Sequence, residues 1–232
     1  MAARTQRSGD AVILYDDALL DHADAVLFTP PTAAASTPIV IGGRGSAWIL
    51  ERGGEQWVLR HYRRGGLPGR FIRDLYLWTG LEATRAWREW RLTDSLYKVG
   101  LPVPQPVAAR VVREGVLYRA DLITRRIPGA RSLAEVLTTP TDIPWEAMGR
   151  CVRRFHDAGV RHADLNAHNI LLAADGKVFL IDFDRGARVA PDVRWQQGNL
   201  ARLQRSLRKL AGGNAPIAAG WARFLDAYAK AG

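Results

Sequence analysis

Between residues 39 and 62 the chain reads IVIGGRGSAWILERGGEQWVLRHY, three short apolar runs separated by glycine clusters. Runs of this length bounded by Gly predict strand, Gly-rich loop, strand, Gly-Gly turn, strand. A Gly-Gly step between two strand-like runs is a strong hairpin cue, because the tightest hairpin turns need positive φ. The period then changes. Over residues 82–99 (EATRAWREWRLTDSLYKV) Ala86, Trp90, Leu92 and Leu96 recur near helical spacing. The helix is predicted to stop at Gly100, where LPVPQP continues as a rigid extended connector. Two further strands are predicted at 106–112 and 115–124.

The second half of the chain is patterned differently. Met148, Val152 and Phe155 fall at i, i+4 and i+7 in a predicted amphipathic helix over 145–159, with Gly159 at its end. Residues 170–173 and 178–182 flank an Asp175-Gly176 step and predict a short hairpin. Helices are predicted over 194–210 and 217–230, with Leu200, Leu203, Leu207 and Leu210 on one face of the first. The turn-rich stretch 28–38 (FTPPTAAASTP) separates the N-terminal segment from the glycine-punctuated strands, and no internal repeat is visible. A β-rich half preceding a helix-rich half predicts two lobes.

Composition narrows the setting. The 232 residues are 47% hydrophobic, enough for a real core. The single cysteine, Cys151, excludes an internal disulfide and suits a reducing compartment. The N-terminal stretch has only a four-residue apolar run before two aspartates, which is no secretory signal, and no apolar run of 18 residues exists to span a membrane. The formal net charge is +10. Arginine supplies 29 of the 33 basic residues, which fits coding bias, but the charge is also blocked. Residues 60–91 carry net +5 and residues 185–209 net +6. Such blocks fit either a solvated face or an anionic substrate or surface.

The most concentrated polar chemistry is HADLNAHNILL at 162–172. A metal site is disfavoured: His156, His162 and His168 recur every six residues, whereas a helix pair needs i, i+4 and a finger needs cysteines or closely paired ligands. The alternatives are a polar turn before a buried strand pair, or a catalytic loop. His162, Asp164, Leu165 and Asn169 match H-x-D-L-x-x-x-N, and Asp182-Phe183, after the next hairpin, match the start of D-F-G, with Asp184 where Gly is usual. In these residues the chain resembles the protein-kinase-like phosphotransferases.

That resemblance implies an α+β, two-lobed protein-kinase-like fold with a β-rich N-lobe (about 12–124) and a reduced helical C-lobe (about 127–232), in one domain of residues 1–232. It implies ATP and Mg²⁺ as cofactors. Asp164 would accept or orient the acceptor's hydroxyl proton, and Asn169 and Asp182 would bind the metal. Gly42, Gly43 and Gly45 would let backbone N–H groups approach phosphate, although a plain hairpin turn has the same composition. Arg60, in Trp57-Val58-Leu59-Arg60, stands where the family carries the Lys of V-A-I-K; it is bidentate and always charged, so its geometry differs. Glu89 matches the helix acid that pairs with that base, but it also suits an exposed acid beside Arg85, Arg88 and Arg91. Residues 120–126 would form the hinge.

Departures from the pattern bear on the acceptor. Ala163 replaces the Arg that in many protein kinases engages a phosphorylated activation loop. No A-P-E comes after Asp182, and only 50 residues remain beyond it, so the platform that holds peptide substrates is expected to be absent. A small-molecule or glycolipid acceptor is expected instead. HADLNAHNILL, LIDFDRG, VLRHYRRGG (58–66) and EWRLTDSLYKVGLPVPQPVAAR (89–110) together resemble the 3-deoxy-D-manno-octulosonic acid (Kdo) kinase family, over about residues 12–210. This implies a transferase of lipopolysaccharide biosynthesis that phosphorylates the 4-hydroxyl of Kdo on lipid A precursor, peripheral on the cytoplasmic face of the bacterial inner membrane. No nucleic acid partner is expected. Arg63, Arg64, Arg70 and Arg73 lie among Leu67, Phe71, Leu75 and Trp78, a mixture that suits an anionic membrane surface and a phosphorylated acceptor, or simply a segment packed on the small lobe. The competing readings are a kinase-fold phosphotransferase for another sugar or small molecule, and a catalytically weak nucleotide-binding protein of the same fold.

Overall fold

The structure, a computed structural model, describes residues 2–30, 39–41, 45–63, 74–139 and 142–231, with only the backbone of 39–41, 45 and 46. The chain divides into two compact units, residues 1–94 with 105–126, and residues 95–104 with 127–232.

The first unit is built on an antiparallel sheet. Its strands are β1 (Ala3–Ser8), β2 (Ala11–Asp16), β3 (Ile39–Ile41), β4 (Gly45–Arg52), β5 (Glu55–His61), β6 (Tyr76–Leu77), β7 (Pro106–Glu114) and β8 (Leu117–Arg125). Their order is β1-β2-β7-β8-β5-β4-β3, with β6 also pairing to β8. The β4–β5 hairpin turns at Gly53 and Gly54, whose φ values of +56° and +81° are those a two-residue primed turn needs. Successive side chains of a strand face opposite ways, so a sheet covered on both sides is apolar at nearly every position. β2 shows this. Ile13 and Tyr15 join one core with Leu27, Phe28, Leu59 and Ile123, while Leu14 joins the other. That second core is closed by the helix α1 (Arg85–Lys98), which buries Ala86, Trp87 and Trp90 against Ala109, Val111, Ala120 and Leu122. Gly100, at φ +74°, lies just beyond the helix, and the Gly100 N–H donates to Tyr97 O.

The second unit contains α2 (Leu133–Val136), α3 (Trp145–Asp157), α4 (Val193–Leu210) and α5 (Ala218–Lys230), with the short strands β9 (Arg131–Ser132), β10 (Val160–Arg161), β11 (Ile170–Leu172), β12 (Val178–Leu180) and β13 (Ala187–Arg188). β12, β11 and β9 form one small sheet, and β10 pairs with β13. α3 turns Met148, Val152 and Phe155 inward as its period requires. It packs closely on α5: a Cβ at Gly149 would run into the Phe224 carbonyl, and one at Gly220 into the Trp145 ring. The two helices approach as they do because both positions lack a side chain. β11 and β12 are the hairpin that delivers Asp182, with Gly176 at φ +80° in its turn.

Candidate active site

In the first unit β5 carries Arg60, and α1 carries Glu89 opposite it. Arg60 Nη2 lies 2.5 Å from Glu89 Oε2. Tyr62, one residue past β5 and on the same side as Arg60 by strand alternation, also donates from its hydroxyl to Glu89 Oε2 and receives Arg60 Nη2 at 3.2 Å. The Arg60 guanidinium sits over the Tyr62 ring, 4.8 Å from its centroid. Glu89 is therefore no exposed helix acid: its side chain is only 3% exposed, against 21% for Arg60. A buried carboxylate is stable only when paired and hydrogen-bonded, and this one accepts from the Arg60 guanidinium and from the Tyr62 hydroxyl.

In the second unit Ala158 and Gly159 follow α3, and β10 leads into the loop 162–169. His162 is buried and joins two segments. Its Nε2 donates to the Ile181 carbonyl at 2.9 Å, and its Nδ1 accepts the Asp164 N–H at 3.1 Å. Those two bonds define a neutral ring with its proton on Nε2, and burial holds its pKa below the usual 6.5. The ring also packs on Phe183, 4.9 Å between centroids, which stacks in turn on Phe155 at 5.8 Å. One imidazole thus ties the loop of Asp164 to the strand end before Asp182.

The loop's asparagines shape it from within. Asn169 Nδ2 and Asn166 Nδ2 both donate to the Asp164 carbonyl, at 2.9 and 3.1 Å. Asn166 Oδ1 accepts the His168 N–H at 2.8 Å, starting the short turn of Ala167–Asn169. The bond from Nδ2 leaves Oδ1 as the far end of the Asn169 amide, and Ile181 N–H donates to Asn169 O at 3.0 Å. Asp182 has φ +63°, in the left-handed region. Such a conformation costs about 1–3 kcal/mol in a residue with a Cβ and persists where the surroundings impose it, commonly at functional sites. The Asp164 carboxylate itself is 59% exposed.

The site residues expected from the sequence are distributed over both units. Arg60 and Glu89 are brought together in the first. Asp164, Asn169 and Asp182 are linked through His162 and the Ile181 backbone in the second. Gly45 opens β4, paired with Ile41. Arg63 is exposed. Gly42, Gly43, Arg64, Arg70 and Arg73 lie outside the described residues. Three residues of α4 were not foreseen. Asn199 donates to His162 O at 2.8 Å and accepts His162 N–H at 3.3 Å, Arg202 Nη1 meets Asp164 Oδ1 at 3.2 Å, and Ser206 Oγ accepts Ala167 N–H at 3.2 Å. A signal for Asn199 did exist. It is the buried polar member of the stripe Asn199, Leu203, Leu207, and buried amides require partners. Tyr62 was also missed.

A β-rich unit with a base–acid pair, and a helix-rich unit with a loop-and-hairpin carboxylate set, make this an α+β protein of the protein-kinase-like class. The model of the Lipopolysaccharide kinase (Kdo/WaaP) family matches residues 40–228, and the chain belongs to that family. It is 50% identical over 206 residues to a 3-deoxy-D-manno-octulosonic acid kinase of Xanthomonas campestris pv. campestris, covering 88% of this chain and 83% of the relative. It is 48% identical over 214 residues to the like-named protein of Xanthomonas euvesicatoria pv. vesicatoria, covering 91% and 86%. With that of Stenotrophomonas maltophilia it shares 48% over 206 residues, covering 88% and 83%. As a member of a kinase family it is an ATP-using phosphotransferase.

Proposed function

We propose that the protein phosphorylates the 4-hydroxyl of Kdo on a lipid A precursor, with ATP as donor. The observation that carries the chemistry is the His162 bridge, which holds Asp164 and the approach to Asp182 in one rigid unit. The acceptor is taken from the relatives named as Kdo kinases. Asp164 orients the acceptor hydroxyl and takes its proton as the new O–P bond forms. Arg60, aimed by Glu89 and Tyr62, holds a nucleotide phosphate; its fixed fork replaces the point charge of a lysine. Asn169 Oδ1 and the Asp182 carboxylate are hard oxygen donors, a set that fits Mg²⁺ bound by few protein ligands and completed by phosphate and water. When bound, the ion would neutralise charge on the phosphates.

Among the described residues no helix is long and apolar enough to cross a membrane. A lipid-borne acceptor then calls for peripheral attachment at the cytoplasmic face of the inner membrane, and the basic block around Arg63 suits an anionic surface. The test is transfer of labelled phosphate from ATP to a Kdo-bearing lipid A precursor. Asp164→Ala should lower kcat by about 10²–10⁴-fold, the usual contribution of a positioned acid–base group, with an unchanged melting profile. Absence of transfer by the wild-type protein, or full activity in Asp164→Ala, refutes the proposal.

A further inference from the structure

The loop 162–169 (HADLNAHN) contains no lysine or arginine, and of its two histidines His162 is held neutral by the N–H that its Nδ1 accepts. Phosphoryl transfer develops negative charge next to the acceptor-orienting carboxylate, and cations that reach it are a main source of catalysis. The structure supplies a cation to Asp164 from 38 residues further along the chain, through Arg202 Nη1 at 3.2 Å from Asp164 Oδ1. Arg202 is not placed at random on α4. Asn199 and Ser206, three residues before it and four after, share its face and bond to the backbone at His162 and Ala167. The helix is therefore clamped to the loop on both sides of the guanidinium. The ion pair itself is a poor reason for such a clamp. Its side chains are 48% and 59% exposed, and exposed pairs contribute little to stability. A guanidinium is a rigid fork of five donors, and the Asp164 contact engages it through Nη1.

We propose that Arg202 is a catalytic residue whose guanidinium meets the phosphoryl group during transfer at Asp164. This rests on the role given to Asp164 above. In the step, a lone pair of the acceptor oxygen forms the new O–P bond. The bond from the γ-phosphorus to the bridging oxygen breaks, its electrons leave on ADP, and the hydroxyl proton passes to the Asp164 carboxylate. Arg202 exchanges no proton; it offsets charge on the equatorial oxygens, and its weak pairing with Asp164 leaves it free to turn toward them.

The experiment compares wild type, Arg202→Gln, Arg202→Lys and Asp164→Ala, with ATP and a Kdo-bearing lipid A precursor as substrates. Arg202→Gln should lose about 100-fold or more in kcat, as when one transition-state donor is removed, with both KM values within about 3-fold and the melting temperature unchanged. Arg202→Lys should recover part of the loss, since it keeps the charge but not the fork. Overturning results are an undiminished kcat in Arg202→Gln, a raised acceptor KM at constant kcat, or a lysine variant no faster than the glutamine one. Loss of transfer in Asp164→Ala but not in Arg202→Gln removes this inference alone. No transfer by wild type, or retained transfer in Asp164→Ala, removes the reading of Asp164 and this inference with it.

Discussion

Replacing His162 by phenylalanine keeps a ring of similar size against Phe183 but deletes both of its hydrogen bonds. Two backbone groups then lose their partner, the carbonyl of Ile181 and the N–H of Asp164. An unsatisfied buried group costs about 1–3 kcal/mol, and Asp164, being exposed, can recruit water for the lower end of that range. The expected loss is about 2–4 kcal/mol, a large share of the 5–15 kcal/mol that holds a typical domain together. For a chain of this size each kcal/mol moves the melting temperature by about 2–4 °C, so a fall of roughly 4–16 °C is expected. Catalysis should suffer separately. With the bridge gone, Asp164 and the strand end before Asp182 are joined only through Asn169 among the described bonds, and displacement of a reacting group by an ångström can cost about 10²-fold. His162→Gln, which can still donate at one end, should recover part of both losses. The assay is urea unfolding alongside kcat measured well below the melting temperature. Stability within about 0.5 kcal/mol of wild type, the range of an innocuous surface change, would show that the bridge is incidental.

Two further outcomes are expected from the buried charges and histidines. Glu89→Gln removes the charge that aims Arg60, so the ATP KM should rise by about tenfold, equivalent to about 1.4 kcal/mol, while the acceptor KM holds; initial rates with each substrate varied check this, and an equal rise in both contradicts it. The pH dependence of stability should have two limbs. Burial keeps His162 below the usual 6.5 and His156 down to about 4, so below 6.5 the unfolded chain binds protons that the folded one does not. Stability should then fall with falling pH, by up to about 1.4 kcal/mol per pH unit for each histidine. His61 acts in the opposite sense. Its hydrogen bond to Asp121 raises its pKa, so its contribution is fully present below 6.5 and is lost as pH rises through the raised value. Urea midpoints from pH 5 to 9 test both limbs; a level profile below 6.5, or an acid limb unaffected by His156→Phe, contradicts the assignment.

What could be foreseen from the sequence was what local chemistry determines. Gly53-Gly54 and Asp175-Gly176 announce hairpins because their turns demand positive φ, and the structure has it at Gly53, Gly54 and Gly176. α1 and α3 announce themselves by period. The β1–β2 hairpin was missed for an equally local reason. β1 (ARTQRS) is an edge strand, exposed along most of its length, so it has no buried face to write into its sequence. Two-residue strands such as β9, β10 and β13 are too short to have a period at all.

The same division runs through the site. That Asp164 and Asn169 come together could be read because their spacing is set within one loop, and that Asp182 joins them because a hairpin delivers it. Asn199, Arg202 and Ser206 could not, because the groups they address lie about 40 residues earlier and depend on how α4 is laid against the loop. By spacing alone Leu200 and Leu210 join the inner face of α4, whereas its buried residues are Asn199, Leu203 and Leu207. An asparagine at i with leucines at i+4 and i+8 is a poor apolar position unless its amide has a designated partner. Its partner is the backbone of the histidine that carries the His162 bridge. The polar exception in an otherwise apolar stripe therefore points from the helix to the loop 162–169, and Arg202, three residues on, is the side chain that this docking brings to Asp164.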